Sequence, residues 1–272
     1  MIESVVMDLD GTLLNDKMEV SEGNKEALRR LDALNIPYFI ATGRPEQLVK
    51  PVVSALDYKR PLIMYNGSVI GHPFEERRLY SEPIPNRDIK DIVGHCEKRD
   101  MIVMLYTKDA IYSDPNYRVD FFKERNTALN DRDKAVFKTM DAFDYAYEVN
   151  KILIIEPDSQ KRDTFIRHFS EDSELQKNLR LVRSQPSFLD INPKTTSKGK
   201  AIDRLHAHYG LDPKRCLAIG DQENDISMKD HAGVFVSMEN ATDEVKKMAD
   251  FVTGSNSDDG VYTALKHYIP NL

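Results

Sequence analysis

Val5-Val6-Met7-Asp8-Leu9-Asp10-Gly11-Thr12 opens on a short apolar run and ends on two carboxylates and a glycine. The run has the texture of a strand buried on both faces, and Gly11 lets the chain turn sharply behind it. Two acids two residues apart at a strand end can be aimed at one site. One could attack phosphorus while the other serves as general acid and then base, although Asp-x-Asp-Gly also occurs as an ordinary surface turn.

Moving outward, Ser21 reads as a helix cap, and Ala27, Leu28, Leu31 and Leu34 mark one helical face that stops before Pro37. Tyr38-Phe39-Ile40-Ala41 is a second buried strand. Leu48, Val49, Val52, Val53 and Leu56 repeat the helical spacing, and Leu62-Ile63-Met64-Tyr65 gives a third strand ending at Asn66-Gly67. Strand and helix in alternation predict an α/β fold: a Rossmann-like, doubly wound, mainly parallel sheet whose ligands gather beyond the carboxyl ends of the strands.

Between 84 and 187 the texture changes. Ile89, Ile92, Val93 and Cys96 form a helical face, 102–106 and 110–112 suggest a hairpin, and 152–155 and 179–182 read as strands flanking a helix near 162–169. An inserted αβ cap domain over 84–187 is expected, with the core made of 1–83 and 188–272. Tyr106, Tyr112, Phe121, Phe122, Tyr145 and Tyr147 are expected in the core of the insertion rather than on a ligand platform. The main pattern then resumes with a helix from Lys198, strands at 216–219, 234–236 and 251–253, and a closing helix near 261–268.

The 272 residues carry a net charge of -7 with both signs interspersed, which gives no electrostatic footprint for nucleic acid. Cys96 and Cys216 stand far apart, outside any C-x-x-C pair, so neither a disulfide framework nor a zinc site is indicated. No signal peptide and no run of about 20 apolar residues is present. A soluble, cytoplasmic protein follows, a monomer or weak homodimer with neither nucleic acid nor membrane as partner; the segments taken up next add a small phosphorylated metabolite as the expected partner.

Three further segments carry chemistry. Thr42-Gly43-Arg44 follows the second strand, where a hydroxyl and backbone N–H groups could hold a phosphoryl oxygen, or simply form a turn. Ser197-Lys198-Gly199-Lys200 puts Lys198 at a helix N-terminus, an unfavourable place for a cation unless an anion lies between; the alternative is an exposed lysine. Gly220-Asp221-Gln222-Glu223-Asn224-Asp225 places acids at another strand tip, where Asp221 and Asp225 suit Mg²⁺ or cap the next helix. His206 and His208 lack partners at metal spacing and are expected on the surface.

Taken in order, these four segments, with Asn66-Gly67, Asn240-Ala241 and Asp259-Gly260-Val261, resemble the Cof-like phosphatases of the haloacid dehalogenase superfamily, with a cap of type IIB. The resemblance implies Asp8 as nucleophile and metal ligand, Asp10 as acid and base with its carbonyl on the metal, and Asp221 and Asp225 completing a Mg²⁺ site, Asp225 either directly or through water or Lys198. Leu9, Thr42, Gly43, Lys198 and Asn224 would bind the substrate phosphate, Thr42 and Lys198 acting in catalysis, with Asn66 nearby. A Mg²⁺-dependent phosphatase working on small phosphomonoesters, sugar phosphates foremost, through an aspartyl-phosphate on Asp8 is the function implied, with the cap closing over the site. A phosphotransferase or mutase using the same intermediate is the alternative, and a non-catalytic phosphate-binding regulator a more distant one. Pro193-Lys194-Thr195-Thr196-Ser197 departs from the family in lacking a glycine before the motif lysine, and Lys194 would add a charge able to alter substrate preference.

Overall fold

The computed structural model describes residues 1–113 and 129–272. In chain order it begins with β1 (Ser4–Asp8), α1 (Glu22–Ala33), β2 (Tyr38–Ala41), α2 (Glu46–Leu56), β3 (Leu62–Met64), β4 (Val69–Gly71) and β5 (Tyr80–Ser81). There follow α3 (Asn86–Glu97), β6 (Ile102–Tyr106), β7 (Ile111–Ser113), β8 (Phe137–Thr139), β9 (Lys151–Ile155), α4 (Ser159–Glu171), α5 (Ser173–Asn178), β10 (Leu179–Gln185) and β11 (Phe188–Pro193). The last part holds α6 (Lys198–Tyr209), β12 (Cys216–Gly220), β13 (Val234–Ser237), α7 (Asp243–Met248), β14 (Phe251–Val252) and α8 (Gly260–Tyr268). Two compact units result: one of Met1–Gly43, Tyr58–His72 and Ser197–Leu272, the other of Arg44–Asp57 and Pro73–Thr196.

In the first unit the strands lie in the order β14-β13-β12-β1-β2-β3-β4. All pairs from β14 to β3 are parallel, and β4 returns antiparallel to β3. The uninterrupted apolar runs explain the arrangement: Val5, Val6, Met7, Phe39, Ile40, Leu217 and Ile219 are all fully buried, as strands covered on both faces must be. Ser21 caps α1 as its residue type predicts, its hydroxyl accepting from Asn24 N at 3.2 Å. His206 corrects the sequence reading. It is fully buried, with Nε2 3.1 Å from the Ser4 hydroxyl, because α6 turns the i, i+4 face of Ile202 and His206 inward, while His208 is exposed.

The second unit's sheet has the order β10-β11-β9-β6-β7-β8. One face of it packs with α3 and α4 through Ile89, Ile92, Cys96, Leu105, Ile152, Ile154, Phe165 and Ile191. The 102–106 and 110–112 hairpin forms as expected, with Leu105 opposite Tyr112. Among the aromatics, Tyr106 and Tyr112 are buried and Tyr145 packs partly on this cluster, but Tyr147 is 44% exposed; Phe121 and Phe122 lie outside the described residues. Tyr147 sits in the turn at 144–147, its N–H bonded to the Asp144 carbonyl, which carries the ring outward. The turn at Pro193 closes without glycine, since the N–H and hydroxyl of Thr196 both bond the Pro193 carbonyl, at 3.1 and 2.8 Å. Lys194 donates to the Gln176 carbonyl at 2.6 Å. Cys96 and Cys216 are buried thiols with no disulfide between them, and no helix among the described residues is long and apolar enough to cross a membrane.

Also in the second unit, His95 stacks on His168 with ring centroids 4.0 Å apart. Burial first, then His168 and Arg99, pushes the His95 imidazole down to about 4. An unfolded chain takes up a proton near pH 6.5 that the folded chain refuses. The stability that depends on neutral His95 is therefore intact above about pH 6.5 and is lost as the pH falls toward 4. His95→Gln is expected to flatten the acid limb of the denaturation midpoint plotted against pH; an identical limb would show that this histidine does not set it.

Candidate active site

Strand register builds the site. Asp8 lies opposite Ala41 and Met7 opposite Ile219, so Asp8, Thr42 and the Gly220-Asp221 step emerge together at the carboxyl ends of three neighbouring strands. Here the chain order runs one way from β1 to β2 and the other from β1 to β12, the switch point at which open parallel sheets bind ligands. Gly11, at φ +80°, turns the chain back over this edge; a Cβ there would stand 2.4 Å from an Asp221 carboxylate oxygen. Gly67, at φ +98°, leaves room for the next segment, since a Cβ would come within 2.2 Å of the Ser197 carbonyl oxygen.

That segment delivers Lys198. Ser197 caps α6 by accepting from Lys200 N at 3.1 Å, and Lys198, the first helical residue, is only 1% exposed. Its ammonium bonds Asp8 Oδ1 and, at 2.5 Å, Asp225 Oδ1. The anions that the helix N-terminus seemed to require are thus these two carboxylates. Burial alone would lower the Lys198 pKa, but Asp225 and Asp8 outweigh it and raise it, so the side chain stays cationic.

Asp225 takes the capping role weighed from the sequence and pairs with Lys198 as well. Its Oδ2 accepts the Asp221 and Gln222 N–H groups at 2.9 and 3.0 Å and so caps the short 3₁₀ helix Glu223–His231, while Oδ1 holds Lys198. Asp221 is oriented in turn by the Thr12 hydroxyl at 2.8 Å on Oδ1 and the Gln222 amide at 3.0 Å on Oδ2. Thr12 and Gln222 were not singled out in the sequence, although each is a short polar residue adjoining a motif acid. Asn240 adds a further support, its amide donating to the Gly11 carbonyl at 2.8 Å.

Ligand oxygens of Asp8, Asp221 and Asp225, all buried, lie within 4.8 Å of one another, a grouping that occurs once among the described residues. Three carboxylates facing one ammonium leave two negative charges uncompensated within the cluster, which is the demand a dication meets, and all the donors are the hard oxygens that Mg²⁺ prefers. Burial, together with the other carboxylates and against the pull of Lys198, raises the Asp8 pKa well above the usual range. Asp221 is pushed up to about 6, by burial and then by Asp225. The residues therefore fit the metal implied by the resemblance. Asp10 is half-buried outside this cluster, close enough for its charge to raise Asp8 further.

Leu9 and Thr42 are fully buried, and the Thr42 backbone bonds Ile63 and Asn66. Asn66 holds a left-handed conformation at φ 56° and accepts the Asn224 amide at 3.0 Å, while Asn224 Oδ1 is buried with no hydrogen-bond partner among the described residues. Gly43 borders Asn66 so tightly that a Cβ would sit 2.9 Å from its Oδ1. Thr42, Gly43, Asn66 and Asn224 are thus linked to one another, as are Asp8, Lys198, Asp221 and Asp225.

A sequence profile described as haloacid dehalogenase-like hydrolase matches residues 5–265. Phosphatase YwpJ of Bacillus subtilis is 30% identical over 97% of this chain and 99% of its own. The 5-amino-6-(5-phospho-D-ribitylamino)uracil phosphatase YwtE of the same bacterium is 30% identical over 96% of each. Among solved structures, the subclass IIB sugar phosphatase BT4131 superposes with a TM-score of 0.83 at 25% identity, covering 99% of this chain and 100% of the other.

Proposed function

Because the chain belongs to the haloacid dehalogenase-like hydrolases and is one of their phosphatases, we propose that it releases phosphate from small, polyhydroxylated phosphomonoesters through an aspartyl-phosphate on Asp8. The observation that carries this reading is Lys198 held between Asp8 and Asp225, with Asp221 beside them. Asp8, Asp221 and Asp225 would hold Mg²⁺, with the Asp10 carbonyl as a further ligand. When bound, the metal supplies positive charge that lets an anionic nucleophile approach an anionic phosphoryl group.

The chain's own residues do the rest. Lys198 grips one Asp8 oxygen and leaves the other to attack phosphorus in line. As that O–P bond forms and the bond to the leaving oxygen breaks, Asp10 gives its proton to the leaving oxygen. Asp10 then takes a proton from water, whose oxygen attacks phosphorus and frees Asp8 and inorganic phosphate. Lys198, Thr42 and Asn224 would meet the charge that builds on the equatorial phosphoryl oxygens. The names of two relatives favour a hydroxyl-rich leaving group, since one is a sugar phosphatase and the other acts on a ribityl phosphate.

Phosphate release from a panel of sugar, polyol and nucleoside phosphates tests the proposal. Turnover is expected with sugar or polyol phosphates in Mg²⁺, with a fall of at least about a hundredfold in EDTA and recovery on adding the metal back. Undiminished turnover in EDTA would sink the metal assignment, and transfer of phosphate to a second hydroxyl without release would sink the hydrolytic one.

A further inference from the structure

The turn that carries Asp10 is fastened from far along the chain. After β1 the backbone leaves the sheet and doubles back, with the Leu14 N–H on the Leu9 carbonyl at 2.8 Å and Leu14 bridged to Asp10. Gly11 sits at the bend with φ +80°. A glycine joint accepts many backbone directions, so the residues of the turn do not by themselves fix where the Asp10 carboxylate points. Two asparagines of the first unit supply the constraint. Asn240, in the turn between β13 and α7, donates its amide to the Gly11 carbonyl at 2.8 Å. Asn256, in the loop between β14 and α8, donates to the Leu14 carbonyl at 2.9 Å and to Asp16 Oδ1 at 3.3 Å.

The two asparagines form one device. The Asn256 N–H donates to Asn240 Oδ1 at 2.9 Å, so the Asn240 amide is held at its oxygen while its nitrogen holds Gly11. The loop that bears Asn256 is closed in its turn, since the Gly260 N–H bonds the Ser255 carbonyl at 3.0 Å and the Thr253 hydroxyl bonds the Gly260 carbonyl at 2.8 Å. Asn256 is 5% exposed, whereas Asn240 lies at the surface. The carbonyls they take bracket the bend beside Asp10, and the partners lie 229 and 242 residues away in sequence.

We propose that Asn240 and Asn256 are positioning residues for Asp10: by holding the Gly11 and Leu14 carbonyls they aim the acid that protonates the leaving oxygen. The inference rests on the phosphatase reading above. A proton donor has to lie within hydrogen-bond reach of the oxygen it serves, and an error of about 1 Å in placement costs on the order of a hundredfold. That cost depends on what leaves. A sugar or polyol oxygen must collect a proton as its bond to phosphorus breaks, whereas acetate or p-nitrophenolate departs as a stable anion and needs no acid. Loosening the turn therefore harms the first kind of substrate more than the second.

The test compares kcat/KM, at saturating Mg²⁺, for the sugar or polyol phosphate turned over fastest with that for acetyl phosphate or p-nitrophenyl phosphate, whichever of these two is faster. In Asn256→Leu and in Asn240→Ala the ratio of the first to the second is expected to fall at least about fivefold, and in Asp10→Asn further still. Asn240→Ala changes an exposed side chain and decides the matter if Asn256→Leu does not fold. Amide hydrogen exchange across residues 9–16 should also quicken at least about tenfold in both asparagine variants, whatever the substrate. A ratio that moves in Asp10→Asn but not in the asparagine variants, or unchanged exchange in that segment, would overturn the inference while leaving the phosphatase reading intact. A ratio unmoved in Asp10→Asn removes Asp10 as the acid, and this inference with it. A wild type that releases phosphate from none of these compounds overturns the phosphatase reading first. General damage to the fold lowers both rates together and does not move the ratio.

Discussion

Asp8→Asn is expected to remain folded while phosphate release falls by at least about four orders of magnitude, the scale on which loss of a covalent nucleophile registers. The amide preserves the side chain's shape and can still meet Lys198, but it cannot form the bond to phosphorus. Stability should move the other way. Burial and the neighbouring acids raise the Asp8 pKa, so its ionised form is disfavoured in the folded state and its contribution to stability is lost as the pH rises through that value. At pH 7 without metal, the variant's melting temperature should therefore equal or exceed that of wild type. Steady-state phosphate release and thermal melts on the same sample check both halves, and a variant retaining even a tenth of the activity would remove Asp8 from the role of nucleophile.

Lys198→Met should be the second severe lesion, and a different one. Here the expected loss of turnover, on the order of a hundred- to a thousandfold from missing charge stabilisation, comes with a loss of stability. The ammonium is the cation bonded to both Asp8 and Asp225, and removing one partner of a buried ionic cluster costs about 3 to 5 kcal/mol. Protonation of the stranded Asp8, whose raised pKa loses the cation that held it down, offsets part of that cost. The deficit against wild type should accordingly be largest near pH 7 and shrink as the pH is lowered toward 5. Denaturant titrations in EDTA at the two pH values measure it, and a deficit independent of pH would mean that the carboxylates are not what Lys198 balances.

Much of this was legible in the chain because strand tips and short motifs are local. Val5 to Met7, Phe39 and Ile40, and Leu217 to Ile219 read as buried strands from their apolar runs alone, and the acids just beyond them then fall on one sheet edge by topology. What the residues could not disclose was burial enforced by distant partners. His206 looks polar, yet helical spacing sets it beside Ser4, 202 residues away in sequence. The strand Phe188–Pro193 was missed for a related reason. Its alternate positions, Asp190 and Asn192, break the apolar run, and only the sheet reveals that they are covered and lie in a row with Lys151 and Tyr106. Likewise Asp225 can cap a helix and hold Lys198 at once, because a carboxylate has two oxygens and each takes one of these partners.

The central place of β1, flanked by β2 on one side and β12 on the other, has a consequence for how the chain is made. Ser4 pairs with Cys216, so an apolar strand, once synthesised, waits for a neighbour more than 200 residues downstream. At translation speeds of about 5 to 20 residues per second that interval is on the order of 10 to 40 s. Throughout it Val5, Val6 and Met7 can pair on one edge only, with β2. The nascent chain must therefore carry an open, sticky edge while the whole second unit is being translated, and the candidate site assembles only when Lys198, Asp221 and Asp225 join Asp8.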